Sequence, residues 1–449
     1  MDATDLEPEH LERRQHDLRA AGVEIVTGSV IDFAGVARGK TVPLQRLSSF
    51  VTAGMGASPS WNVFCIDDHI AFTEKVGVVG DLRLRIDPSA LCVVAPGVAW
   101  APGEFTEQDG TASPLNTRGL LRRVSAELAA DGYQTLMGCE LEFALIPADG
   151  SFEGPWQAYG LGAVLGEAER GFIRALVASA AAAGLPLDQI HAEYGRRQVE
   201  ISLGPTDPVR AADNVVLARL LVGRAAEACG LRASFSPLAS VEANATNGAH
   251  VHFSFTDSAG RPVFSGGDGP HGIAAAGGAA IAGVLRRLPE FLGFYAGSVL
   301  SSHRLLPGHW SGAHLCWGLE NREAAVRFCA ATAGNPNGAS AELKVVDPSA
   351  NPYLALAAIV WSAHEGIRDG LGLPTEVGRP PSAHGAPVEV LVPEQAAVIE
   401  ALAASAAAVT FAGPDAIEAL LAVRRHEVAT YSQASAADLA ERFRFTWSI

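Results

Sequence analysis

Met137-Gly-Cys-Glu140-Leu-Glu142-Phe-Ala-Leu145 alternates as a strand does, with two carboxylates on one face and apolar residues on the other. The same i, i+2 design recurs three times. His191-Ala-Glu193-Tyr-Gly-Arg196-Arg197-Gln198-Val-Glu200-Ile-Ser202 reads as one strand ending at Glu193 and a turn over Gly195 to Arg197. A second strand then presents Gln198, Glu200 and Ser202 on one face. Gly248-Ala-His250-Val-His252-Phe-Ser254 is the third instance and Glu342-Leu-Lys344-Val-Val the fourth. Adjacent carboxylates repel, and burying either one unpaired is costly. Divalent cations relieve both problems. Glu140, Glu142, Glu193, Glu200 and Glu342 with one histidine form an oxygen-rich donor set suited to Mg²⁺ or Mn²⁺ rather than to a thiolate zinc site. One such pair is equally well a solvated strand face; four in one chain point to a metal centre.

Arginines cluster between the third and fourth strands: Arg304 in RLLPGHW, and Arg322 and Arg327 in ENREAAVR. Guanidinium suits bidentate binding of carboxylate or phosphate. Metals facing arginines, with no nucleophilic Ser or Cys in evidence, compose a phosphoryl-transfer site.

Around this core, helical patterns over about 117–131, 167–184, 207–230, 273–298 and 351–369 alternate with short strands. Ahead of it lie a short amphipathic helix (8–21), strand-like runs at 24–33 and 80–95, and a Pro/Gly-punctuated stretch at 96–114 read as the break between units. The expected organisation is a small β-rich domain, 1–110, and a large α+β catalytic domain, 111–449. Residues 371–388 read as a loop before a helical tail. Gly39-Lys40-Thr41 mimics the end of a P-loop, but position 34 is Ala and Pro43 follows, so a strand edge is expected there.

A formal charge of −16 excludes a nucleic-acid binder and leans toward a cationic co-substrate. The first fifteen residues are acidic and polar, unlike a secretory signal, and no run of about 18 apolar residues suggests a membrane span. The six cysteines show no C-x-x-C spacing, so reduced thiols and a cytoplasmic location are expected.

Taken together, GDLRLRIDPSA, GCELEF, HAEYGRRQVEIS, NGAHVHFS, RLLPG, ENREAAVR and ELKVVDPSANPY resemble the bacterial-type glutamine synthetase family along nearly the whole chain. The resemblance implies an N-terminal β-grasp-like domain and a catalytic α/β domain forming a double-ended funnel. It further implies ATP, two or more Mg²⁺ or Mn²⁺ ions per site, and a homododecamer of two hexameric rings. Each site would then be closed by a neighbour's small domain. By the same resemblance, Glu142, Glu193 and Glu200 match the ligands of one metal, and Glu140, His250 and Glu342 those of a second. Asn247 and Gly248 stand where glutamate is held, and Arg304 where an arginine grips its carboxylate. His252 and Ser254 lie near the nucleotide, and Arg322 and Arg327 face the transferred phosphate. Asp67, 14 residues before Asp81, matches an ammonium-binding acid by spacing.

Ammonia-using members of that family carry a glutamate two residues after the glycine of the R-L-x-P-G motif; here Trp310 occupies that position. An indole offers an apolar wall and a cation–π face instead of a base. This resembles relatives that glutamylate polyamines or ethanolamine. Lys344 and Ser340 stand where ammonia-using members have arginines, and Arg196 and Arg197 replace a Pro-Gly-type turn. The expected activity is ATP-dependent joining of glutamate to an organic primary amine, with plain glutamine synthesis or a silent relative as alternatives.

Overall fold

The computed structural model describes residues 7–383 and 387–449. The first six residues of the N-terminal segment and residues 384–386 of the expected 371–388 loop lie outside the described residues. The small unit opens with helix α1 (Pro8–Ala20) and builds one sheet from β1 (Ile25–Ile31), β2 (Ala37–Pro43), β3 (Met55–Ala57), β4 (Leu82–Ile86), β5 (Cys92–Ala95) and β6 (Val98–Thr106), with α2 (Leu47–Thr52) packed alongside. The strand order is β2-β1-β6-β4-β3, with β5 also on β6. Gly39 to Thr41 lie in edge strand β2, so the P-loop mimic is a strand.

One expectation is corrected here. The stretch read as punctuation contains β6, which pairs with β1, β4 and β5 and is the centre of this sheet. Pro102 gives up only a donor, and its carbonyl still accepts the Asp87 N–H at 2.9 Å. Trp100, buried within β6, donates to the Ser29 hydroxyl at 2.9 Å.

The catalytic unit follows α3 (Thr117–Ala130). It is an eight-stranded sheet with β7 (Gln134–Pro147) at its middle, reached after β8 (Leu187–Ala192) and β9 (Gln198–Thr206) on one side. On the other side come β13 (Val251–Thr256), β16 (Ser340–Leu343), β15 (Ala324–Cys329) and β14 (His314–Leu319); β10 (Leu231–Ser234) extends β7. A small ribbon, β11 (Leu238–Ser240) and β12 (Ala245–Thr246), stands apart. Helices α4 (Leu161–Glu169), α5 (Phe172–Ala183), α6 (Pro208–Ala228), α7 (Ala275–Tyr295) and α8 (Pro352–Arg368) complete it, followed by the tail helices α9 (Gln395–Ala404), α10 (Ala406–Ala412), α11 (Pro414–Tyr431) and α12 (Ala436–Phe443). The helix expected over 167–184 is two helices, broken at Gly171, whose φ of +104° favours glycine. Asn116, Asp207 and Asn351 cap α3, α6 and α8 with their side chains. Among the described residues no single helix is long and apolar enough to cross a membrane.

Buried charge ties the units together. Arg118 on α3 donates to both Asp213 oxygens at 2.9 Å, to Asp87 at 2.7 Å and to Glu104. Tyr353 adds a bond to Asp213 at 2.8 Å. Arg118→Met would leave three acids short of their cation and is expected to cost roughly 3–5 kcal/mol, read from urea unfolding.

On α11, Glu427 is fully buried beside Arg424 at 2.8 Å, and burial pushes its carboxyl up to about 7 against that guanidinium. The folded state therefore holds this proton more tightly than the unfolded one does. The resulting stability is complete below the ordinary carboxylate range and is lost as pH rises through about 7. Glu427→Gln is expected to remove that decline, on the order of 3 kcal/mol, from the melting profile between pH 4.5 and 8.

Candidate active site

Sheet register assembles the site. Glu142 on β7 lies directly opposite Glu200 on β9, and Glu200 lies opposite His191 on β8. On the other flank, His252 on β13 lies opposite Glu342 on β16, which lies opposite Arg327 on β15. The N–H groups of Glu140 and Glu142 donate to the carbonyls of His250 and Gly248, both at 3.0 Å, locking the third motif to the first. Alternation then directs the acids and histidines of five strands toward one face.

His250 Nδ1 stands 3.2 Å from Glu140 and 3.4 Å from Glu342, and its Nε2 is 3.9 Å from Glu142. His252 Nε2 is 3.5 Å from Glu140, and its Nδ1 is 3.2 Å from the Ser340 hydroxyl. His191 Nε2 is 2.8 Å from Glu193 and 3.6 Å from Glu200. Of the four groups among the described residues that converge closely enough to share a cation, three lie here: Glu140, His252 and Glu342; Glu140, Glu200 and His250; and His191, Glu193 and Glu200. Glu142 joins none of these. It accepts from Gln198 Nε2 at 3.0 Å and from the Gly248 N–H at 2.7 Å.

The electrostatics call for a cation. Burial and the charges of Glu140, Glu142 and Glu193 push the Glu200 carboxyl well above the usual range. Burial also raises Glu140 and Glu342, but hydrogen bonds from His250 and His252 hold Glu140 low, and Lys344 and the two histidines bring Glu342 down to about 2. The converging donors are carboxylate and imidazole, the set that fits Mg²⁺ or Mn²⁺.

These groups line a cavity of about 720 Å³ that also takes in Arg304, Trp310, Arg322, Arg327 and Lys344. Ser254 lies instead in a second cavity of about 410 Å³, which meets the first at Glu140, Gln189 and His252. Glu342 is buried behind the wall, bonded to Arg327 at 3.2 Å and Lys344 at 3.1 Å. Arg304 is buried, with donors on the carbonyls of Lys344 (3.0 Å) and Val345 (3.2 Å).

Asn247, Gly248 and Asp67 are not among the residues lining this cavity. The Asn247 side chain is wholly buried: Nδ2 donates to Ser234 and Ser236 carbonyls, and Oδ1 accepts from Gln198 at 3.1 Å. It positions Gln198, which in turn holds Glu142, and does not face the cavity. Gly248 is needed for close approach, because a Cβ there would stand 2.6 Å from Arg304 and 2.7 Å from His250. Asp67 accepts from Tyr431 at 2.6 Å and His426 at 3.0 Å in its own chain and is outside the cavity.

The cavity mouth holds groups that the sequence did not single out. Tyr194 meets Trp310 edge-on at 5.2 Å and Tyr159 edge-on at 5.4 Å, and Tyr159 stacks on His191 at 5.1 Å. Trp310 and Tyr159 both adopt φ of +53°, a strained state for large side chains. His191 sits two residues from Glu193, a signal that was available; Tyr159 lies in a loop without periodicity.

Glu200→Gln should leave the metal-free protein at least as stable as the parent, because it removes the most crowded charge. It should also abolish most of the stabilisation by Mn²⁺, about 2.7 kcal/mol when free metal is 100-fold above its Kd. Calorimetry with and without metal reads both; full retention of the Mn²⁺ effect would refute the assignment.

The glutamine synthetase catalytic-domain profile matches residues 114–442, and the glutamine synthetase N-terminal-domain profile matches residues 11–112. The chain is 37% identical over 382 residues to a gamma-glutamylpolyamine synthetase of Streptomyces coelicolor, covering 82% of this chain and 80% of that one. It is 28% identical over 363 residues to the glutamine synthetase of Halobacterium salinarum, covering 78% and 77%. Among solved structures, a novel glutamine synthase homolog superposes with a TM-score of 0.85 at 31% identity, covering 95% of this chain and 99% of the other. A GmaS/ADP complex shares the fold with a TM-score of 0.83 at 24% identity, covering 95% and 98%.

Proposed function

This chain belongs to the glutamine synthetase family, whose members are ATP-dependent carbon–nitrogen ligases, and we propose that it joins the side-chain carboxyl of glutamate to an organic primary amine. The observation that carries this reading is the aromatic corner of Trp310, Tyr194 and Tyr159 at the cavity mouth. Ammonia-using relatives place a carboxylate where Trp310 stands. An aromatic corner favours an alkylammonium, through apolar contact and cation–π attraction worth about 0.5–2 kcal/mol per ring. The similarity to a gamma-glutamylpolyamine synthetase supports the same reading.

In this proposal a glutamate γ-carboxylate oxygen attacks the terminal phosphorus of ATP and ADP leaves. The amine nitrogen then attacks the γ-glutamyl phosphate and releases phosphate. Arg304 orients the glutamate carboxylate, with its guanidinium held by backbone carbonyls so that little ordering remains for substrate to supply. Arg322 and Arg327 face the transferred phosphoryl group and offset its charge. The nucleotide enters through the Ser254 side, past His252 and Ser340. Asn247 and Gly248 act behind these groups, holding Glu142 and leaving room for Arg304 and His250. Glu193 and Glu200, with Glu142 brought in through its other oxygen by resemblance to the family, would hold one Mg²⁺ or Mn²⁺, and Glu140, His250 and Glu342 a second. Bound there, the ions supply Lewis-acid charge neutralisation. Assembly into two stacked hexameric rings, with a neighbour's small domain over each mouth, would exclude water from the acyl phosphate. In that arrangement Asp67 would act on a neighbour's site.

Phosphate release with glutamate, ATP and Mg²⁺, compared across ammonia, putrescine, spermine, ethanolamine and methylamine, tests the reading. One organic amine should exceed ammonia in kcat/KM by about 10-fold or more, corresponding to about 1.4 kcal/mol of transition-state binding. Trp310→Glu should lower that ratio. Turnover with ammonia alone would make the enzyme a glutamine synthetase.

A further inference from the structure

The fourth convergent group, Cys65, Asp67 and His426, lies outside the active-site cavity and joins the two units. Cys65 and Asp67 sit in the loop between β3 and β4 of the small unit, and His426 on tail helix α11. The loop closes on itself. The Cys65 N–H donates to the His69 carbonyl at 2.8 Å, the Asp68 N–H donates to the Cys65 carbonyl at 3.0 Å, and Asp68 takes a left-handed φ of +62°. A sulfur, a carboxylate oxygen and an imidazole nitrogen thereby lie within 4.8 Å of one another, with His426 Nε2 at 3.0 Å from Asp67 Oδ2. Around a tetrahedral zinc, with bonds of about 2.3 Å to sulfur and about 2.0–2.2 Å to nitrogen and oxygen, ligand atoms stand roughly 3.3–3.8 Å apart. The spacing of these donors brackets that range, so shifts of about 1 Å or less would close them on an ion. A His426–Asp67 hydrogen bond accounts for two of the three donors. It does not use the Cys65 sulfur, which is 3.9 Å from the Val423 carbonyl, at the limit of an S–H bond.

We propose that Cys65, Asp67 and His426 bind one Zn²⁺, with water as the fourth ligand, and that the ion staples the small unit to the tail helix. The surroundings hold the donors in place, as the partners of metal ligands do. Asp67 stays oriented when His426 turns to the ion, because Tyr431 donates to Oδ2 at 2.6 Å and the His69 N–H to Oδ1 at 3.1 Å. The His426 ring is stacked on that of His69, with centroids 4.0 Å apart and planes 4° from parallel. Cys65 is fully buried, whereas the Asp67 and His426 side chains keep 12% and 20% exposure. An ion therefore arrives from the carboxylate and imidazole side, and the sulfur closes the site from within. On binding, the Cys65 S–H releases its proton to solvent and a sulfur–zinc bond forms, while the His426–Asp67 hydrogen bond gives way to one bond from each to the ion. Thiolate and imidazole select Zn²⁺ over the Mg²⁺ or Mn²⁺ that suits the oxygen-rich set. Occupancy would also withdraw Asp67 from any role at a neighbour's site.

Co²⁺ is the probe, because thiolate ligation gives it a near-ultraviolet charge-transfer band that carboxylate and imidazole ligation does not. The full-length protein, with Mg²⁺ in excess to occupy the oxygen-rich site, should develop that band on titration with Co²⁺, and Zn²⁺ should bleach it. Cys65→Ser should abolish the band, and His426→Gln should weaken Co²⁺ binding about 10-fold or more. A parent that develops no band, a band undiminished in Cys65→Ser, or an affinity unchanged in His426→Gln would overturn the proposal. If either variant does not fold, parent crystals soaked in Zn²⁺ decide by anomalous scattering: a peak between Cys65, Asp67 and His426 supports the site, and no peak there refutes it. Binding is read without turnover, so a failure here is separable from a failure of the ligase assignment.

Discussion

The constraint on which the rest depends is the cross-strand pairing of Glu142 with Glu200, two carboxylates directly opposite each other on antiparallel strands. Like charges in that position destabilise a sheet, and Glu140 and Glu193 make the crowding worse. Everything around them serves to make the arrangement bearable. His250 and His252 bridge to Glu140, Lys344 and Arg327 hold Glu342, and Gln198 spans Glu142, Asn247 and the Thr246 carbonyl. What remains uncompensated is negative and concentrated at Glu200, where a divalent ion would contribute most. The fold stores this repulsion, and a bound cation would relieve it.

This explains why so much of the site was legible in the sequence. A strand face is a local property: i, i+2 spacing of Glu140 with Glu142 and of His250 with His252 announces a face before any tertiary information exists. Register does the rest, and register follows from the same alternation. What was not legible is long-range or context-dependent. Asn247 sits next to the histidine motif and suggests a substrate contact, but its amide is consumed by Ser234 and Ser236, which only the folded chain brings near. Strand β6 was hidden because Pro102 and Gly103 mark turns in most contexts; here Pro102 keeps a useful acceptor within a central strand. Tyr159 belongs to an irregular loop, and its place beside His191 depends on a backbone bond to Ala192.

Two kinds of selectivity meet at the cavity. The inner wall is electrostatic, built of acids, imidazoles and guanidinium groups that discriminate by charge and geometry and would serve any member of the family. The mouth is aromatic and, on the proposed reading, would discriminate by polarisability and apolar area. In the proposed amine ligation, Trp310 in place of a carboxylate exchanges a base for a surface, and proton removal from the incoming ammonium would fall to other groups or to water. An alkylammonium also carries its own compensation, because its methylene groups bury apolar area at roughly 25 cal/mol per Å² against the rings.

The aromatic mouth is held by its contacts against backbone strain. Trp310 and Tyr159 occupy the left-handed region, a state that costs of order 1–3 kcal/mol for each residue and persists only where surroundings over-determine it. For Tyr159 those surroundings are the His191 ring and the Ala192 carbonyl; for Trp310, the Tyr194 ring is one of them. The strained residues thus rest on the strand and turn that carry Glu193. Tyr194 follows Glu193 in the chain, Tyr159 is hydrogen-bonded to Ala192 and Trp310 packs on Tyr194, so the rings of the mouth are tied to the Glu193 carboxylate through residues 192–194.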